Sequence, residues 1–159
     1  MARFVFLIPS TCGNAQMEKL FRYFIKLASP YARIEVKHFG EEKLHGASDV
    51  MVEKALVKES IKIKKHLLDD DKVFLLSEKG EVASTEAWSR EMSEWMPFSG
   101  RVVFILGSAR GLHRSLLEDK KYRSLAIGEM TLQHELALVV WSEQIYRLLT
   151  LQVGKRYHY

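Results

Sequence analysis

The residues best suited to chemistry gather in the last third of the chain. Phe104-Ile105-Leu106 runs into Gly107-Ser108-Ala109-Arg110-Gly111-Leu112-His113, followed by Met130-Thr131-Leu132-Gln133-His134 and a terminal Tyr157-His158-Tyr159. An apolar run that opens into a loop with glycine at both ends brings bare backbone N–H and C=O groups close to a ligand, because glycine has no Cβ to hold them away. Such a surface suits a nucleotide-like cofactor. The tail from Gly154 sets two tyrosines and a histidine beside Lys155 and Arg156, a combination suited to stacking on a base, contacting phosphate and moving a proton. Chain ends also fray, so the residues alone leave docking and disorder equally open.

Other chemistries find little support. Gly107 and Gly111 are not followed by Lys-Ser or Lys-Thr, so the loop is no P-loop, and no G-x-G-x-x-G is present. The six histidines, at 38, 45, 66, 113, 134 and 158, contain neither H-E-x-x-H nor an i, i+4 pair for a metal. A single cysteine, Cys12, rules out an intramolecular disulfide and a cysteine-rich zinc site. It reads as a structural or incidental thiol, and a reducing cytoplasm is the simple inference. No stretch approaches the roughly 18 apolar residues of a membrane span. The net charge of +4 and pI near 9.1 lean toward a polyanionic partner. Lys54 to Lys65, with charges of both signs, reads as a solvated helix face.

The elements that must carry these residues alternate. Arg3–Ile8 is a short apolar strand stopped by Pro9, and from Gln16 the positions Met17, Leu20, Phe21, Phe24 and Leu27 follow the helical period up to Ser29-Pro30. Arg33–His38 alternates with period two, as a half-exposed edge strand does. A polar stretch, Gly40 to Ser48, leads into a charged helix reaching His66. Val73–Leu76 reads as a buried strand followed by a Gly80 loop, and Ser84-Thr85 starts a helix to Trp95. Arg101–Leu106 and Arg123–Ile127 are two further strands, and the last helix, Gln133 to Leu151, is apolar on nearly every side. Strands separated by helices predict one α/β domain over residues 1–159, a mostly parallel sheet with helices on both faces. Ligands then collect at the strands' carboxyl ends, here Leu76, Gly107 and the segment after Ala126.

The two loops, the apolar helix after His134 and the aromatic tail together resemble the C-terminal half of the RlmH family, SPOUT-class methyltransferases that use S-adenosylmethionine to modify N3 of a pseudouridine in 23S, large-subunit ribosomal RNA. The resemblance runs through nearly the whole chain in element order and is sharpest from about Val102 onward. It implies a C-terminal trefoil knot, a homodimer, and the ribosome as partner. Matching positions imply a cofactor site at Leu76, Gly107, Ala126, Ile127, Gly128, Glu129, Met130 and Thr131, with further matches at Gly111-Leu112-His113, His134 and Glu143-Gln144-Ile145-Tyr146-Arg147.

Within that likeness His158 is the candidate proton acceptor, as an imidazole is largely neutral at pH 7, and Tyr157 stacks on or orients the base. His134 is expected to hold loop geometry through backbone contact, and Glu143 to pair with Arg147 one turn on. The apolar stripe Leu136 to Trp141 is expected to be buried in the domain or in a subunit interface, and it fits the dimer that the resemblance implies. Four positions depart from the family pattern. Ser108 stands for a second glycine, Gln133 for proline, Leu138 for an arginine on the His134 face, and Glu81 for the lysine after the loop glycine. Arg110, where relatives are not basic, is a candidate replacement charge. These departures motivate the alternative of a non-catalytic or altered-specificity RNA-binding relative. An unrelated α/β small-ligand protein is the third reading.

Overall fold

A computed structural model of the chain describes residues 1–44, 46, 48–155 and 157. In chain order it contains β1 (Arg3–Ile8), α1 (Ala15–Ala28), β2 (Arg33–His38), α2 (Asp49–Lys65), β3 (Lys72–Val82), α3 (Thr85–Trp95), β4 (Arg101–Leu106), α4 (Arg114–Leu117), β5 (Arg123–Ala126) and α5 (His134–Gln152). The strands form one sheet in the order β2-β1-β4-β3-β5, and every pairing is parallel. β2, the one strand with alternating polarity, lies at the edge.

Successive residues of the central strands point to opposite faces, and both faces are dry. Phe4, Phe6, Phe74 and Phe104 meet Phe21 of α1, Met92 and Trp95 of α3, and Leu138, Trp141 and Ile145 of α5. Phe104 is the hub of this layer, stacked on Phe74 at 5.7 Å and edge-on to Phe4 and Trp95 at 5.9 Å. Val5, Leu7, Leu75, Val103 and Ile105 form the other face beneath Ile63 of α2 and Leu116 of α4. Sequence capping signals mark the helix starts: the side chains of Asn14, Ser48 and Ser84 accept from the backbone N–H groups of the first turns of α1, α2 and α3.

Three features depart from the sequence expectations. The residues after Leu76 are not simply a loop: β3 continues to Val82, with an irregularity between Leu76 and Glu81. Leu125 of β5 pairs with Leu76 and with Glu81, so Ser77–Gly80 bulge out between the two pairings. A Cβ on Gly80 would lie 2.5 Å from Leu125 N, which only glycine avoids. β5 stops at Ala126 and leaves Ile127 exposed. The short α4, begun by His113, carries too few residues to show a helical period.

The expected interface stripe on α5 also needs correction. Trp141 and Leu138 are 5% and 2% exposed within a single chain, covered by its own core. The apolar surface that remains near α1 and α5 belongs to Leu20, Tyr23, Leu136 and Val153. Trp141→Glu is therefore expected to destabilise the fold by about 3 kcal/mol or more, through lost packing and a buried charge. A urea midpoint equal to wild type would return Trp141 to the surface.

Candidate active site

The carboxyl ends of β3, β4 and β5 and the start of α5 enclose a cleft of about 540 Å³. Leu76, Gly107, Ala126, Ile127, Gly128, Met130 and Thr131 line it; Glu129, predicted with them, does not. Glu129 is exposed. Lys79, Ala137 and Trp141, not expected from sequence, also line the cleft. Ala137 and Trp141 sit three and seven residues after His134, the spacing of one helix face, so periodicity from His134 carries that signal.

The loop after β4 owes its shape to its glycines. Gly111 has φ +83°, a left-handed conformation, and its N–H donates to Ser108 O at 2.8 Å, closing a tight turn. A Cβ on Gly107 would stand 2.4 Å from Gly111 O, so the two glycines press backbone on backbone. The turn presents backbone polar groups to a cleft whose floor is apolar at Leu76, Leu106 and Leu125. An adenine ring and a methionine chain need such a surface: flat apolar contact with main-chain donors and acceptors at its rim. The residues present thus fit S-adenosylmethionine.

Side chains around the cleft are mostly committed. His113 caps α4 by accepting from Ser115 N, and its Nε2 lies 3.0 Å from Glu53 Oε1. The backbone contact expected of His134 is made by its neighbour, for Gln133 Oε1 accepts from Leu136 N at 2.8 Å and caps α5. Gln133 thus does by hydrogen bonding what a proline does by a fixed φ. His134 meets the Gln133 side chain at 3.5 Å and lines the cleft. Glu135 accepts from Gly13 N and Asn14 N, tying the β1–α1 turn to the start of α5.

The other departures also find structural reasons. Leu138 points into the core beside Val139 and Trp141, so a cation there would be buried rather than offered to a ligand. Glu81 accepts from Arg123 Nε and Nη2 at 3.2 and 2.7 Å, whereas a lysine would repel that guanidinium. Arg110 reaches Glu59 and Glu42 O rather than standing free as a spare cation.

The tail packs elsewhere. Lys155 Nζ donates to Tyr31 OH at 2.6 Å. Tyr157 lies edge-on to Tyr146 with centroids 4.7 Å apart, beneath the Arg147 guanidinium, which donates to its carbonyl at 3.2 Å. Arg147 also holds Glu143 at 2.5 Å, the i, i+4 pair expected from sequence. Burial pushes the Tyr157 phenol above its usual range, with the Glu143 charge adding to the effect, so it stays protonated near neutrality. His158, the candidate base, lies outside the described residues, as do Arg156 and Tyr159.

Burial first, then the hydrogen bond and charge of Glu18, push the Cys12 thiol up to about 11. A raised value keeps it protonated through neutral pH, where the nucleophilic thiolate is scarce. Alkylation of Cys12 at pH 8 is expected to run at least about 100-fold slower than that of an unperturbed thiol. Labelling at the free-thiol rate would show that the burial is not maintained in solution.

A parallel sheet with a cleft at the carboxyl ends of its last strands places the protein in the α/β class, with the ligand position such sheets use. The family described as "Predicted SPOUT methyltransferase" matches residues 4–158, and the chain belongs to it. Among named relatives, "Ribosomal RNA large subunit methyltransferase H" of Syntrophomonas wolfei is 31% identical over 139 residues, covering 86% of this chain and 87% of that protein. The protein of the same name from Ureaplasma parvum serovar 3 is 35% identical over 112 residues, 70% of each chain.

Proposed function

We propose that this protein transfers the methyl group of S-adenosylmethionine to N3 of a pseudouridine in large-subunit ribosomal RNA, acting in the cytoplasm as a homodimer. The cleft built from Leu76, the Gly107–Gly111 turn and the Ala126–Thr131 run, in a chain of the SPOUT family, carries the reading. Bound there, the cofactor supplies a sulfonium methyl with a good leaving group. The protein's own tasks are then to align N3 with that methyl and to take up the imide proton. The Leu76, Leu125 and Trp141 side chains exclude water from the cleft floor, while backbone groups of the two loops orient the ligand. A phenol that stays protonated suits Tyr157 to orienting a base by stacking or donation, and an imidazole, largely neutral at pH 7, suits His158 to proton uptake.

The dimer follows from where the tail lies. Tyr157 rests on Arg147, 13 residues beyond His134 along α5 or about 20 Å of helix, and it is absent from the cleft lining. A tail held there acts on a base at the cleft of a second copy. The trefoil knot belongs to the same reading and rests on membership of the SPOUT family. Incubating the protein with methyl-labelled S-adenosylmethionine and large ribosomal subunits tests the function: label in the RNA supports it. Tight cofactor binding without transfer to subunits or whole ribosomes would favour the RNA-binding alternative. Light scattering at micromolar concentration is expected to give twice the 18.4 kDa chain mass, and a strict monomer counts against the shared site.

A further inference from the structure

Three segments distant in sequence meet at one buried carboxylate. Glu59, on the inner face of α2, is 2% exposed. Its Oε2 accepts from Ser108 Oγ at 3.0 Å, and its Oε1 accepts from both Arg110 Nη2 and Glu42 N at 2.9 Å. Arg110 Nη2 also donates to Glu42 O at 2.7 Å. The carboxylate therefore grips two side chains of the cofactor turn and the main chain of the segment after β2. That segment is fastened a second time to α2, where Lys62 Nζ binds Glu42 at 2.7 Å and Gly40 O at 3.0 Å.

This arrangement holds the turn from behind. Gly107–Gly111 line the cleft, and the polar side chains of Ser108 and Arg110 are bonded to Glu59 of α2. A buried carboxylate is tolerated only where its lone pairs are satisfied, so removing any one link leaves the others in a low-dielectric site with an unpaired group. Arg110 Nε is already buried without a hydrogen-bond partner, so the guanidinium is held through Nη2, by Glu59 and by Glu42 O. The glycines make the turn possible but leave it easily deformed. Something outside the turn must select one conformation.

We infer that Glu59 is a positioning residue for the cofactor turn, fixing it in its binding conformation through Ser108 and Arg110 and joining it to the segment after β2 through Glu42. The inference rests on the proposed cofactor site. It gives Ser108, a departure from the family pattern, and Arg110, where relatives are not basic, one shared task. Both carry side chains that α2 can grip.

Glu59→Gln keeps the side chain's shape and one accepting oxygen but removes the charge. It is expected to weaken S-adenosylmethionine binding about tenfold or more by calorimetry, and to speed amide exchange at Ala109–Gly111 while the β1 and β4 amides keep their protection. Arg110→Met should act in the same direction. The double variant should be no worse than the more affected single one, because the two groups act as a unit. Wild-type affinity and wild-type turn exchange in folded Glu59→Gln, with only a lower melting temperature, would overturn the inference. Should Glu59→Gln not fold, Arg110→Met, at a partly exposed position, decides by the same two readouts. If the wild type binds no S-adenosylmethionine the proposed site falls, yet the exchange rates still decide whether Glu59 orders the turn.

Discussion

Gly107→Val is expected to lose cofactor binding altogether within the range calorimetry can follow. The first β carbon would stand 2.4 Å from Gly111 O and 2.5 Å from its carbonyl carbon, both backbone atoms with no rotamer to yield. The turn must open, and with it the hydrogen bond from Gly111 N to Ser108 O breaks. Sequence reasoning expects valine to fill the pocket; the structure moves the damage to the turn itself. Forcing added volume against fixed backbone costs roughly 1–3 kcal/mol or more, here directed at the one surface the ligand uses. An unfolding midpoint near wild type would separate this local effect from collapse of the fold. Equal affinity in variant and wild type would remove the turn from the cofactor site.

Deleting residues 155–159 is expected to abolish methyl transfer while cofactor affinity stays within about twofold of wild type. The turn, the Ala126–Thr131 run and the start of α5 all precede the cut, and no described tail residue lines the cleft. The deletion removes the Lys155 bond to Tyr31 and the packing of Tyr157 on Tyr146. It leaves the Glu143–Arg147 pair in place. His158→Ala alone should lower single-turnover methylation by roughly 100-fold, the scale of a positioned general base. Substituting Lys155 or Arg156 should instead weaken RNA binding in a salt-dependent way. Undiminished transfer by the truncated chain would shift the search for the base to His134, which lines the cleft, and to Glu143.

The sheet was legible because its strands are short apolar runs bounded by proline, glycine and polar loops, and β2 announced its edge position by alternation. β3 was not fully legible. Its second half, Glu78-Lys79-Gly80-Glu81-Val82, is polar: Ser77–Gly80 bulge out of the ladder and only Glu81 and Val82 pair with β5, so no apolar run marks it. The cleft was readable at strand ends and glycines, where local chemistry speaks. Trp141 was misplaced for a related reason: a helix apolar all round must be covered, but periodicity cannot say whether its own core or a second subunit covers it. Glu59 was invisible. Within a charged helix one more glutamate reads as solvated, and only the approach of Ser108 and Arg110, 49 and 51 residues away, makes it buried.

Mass spectrometry of nucleosides from large-subunit RNA reads the proposed methylation of a ribosomal pseudouridine itself. RNA from cells carrying the gene should contain N3-methylated pseudouridine that disappears when the gene is deleted and returns with the intact gene, but not with the chain truncated after Gly154. An identical nucleoside profile with and without the gene would rule out this methylation.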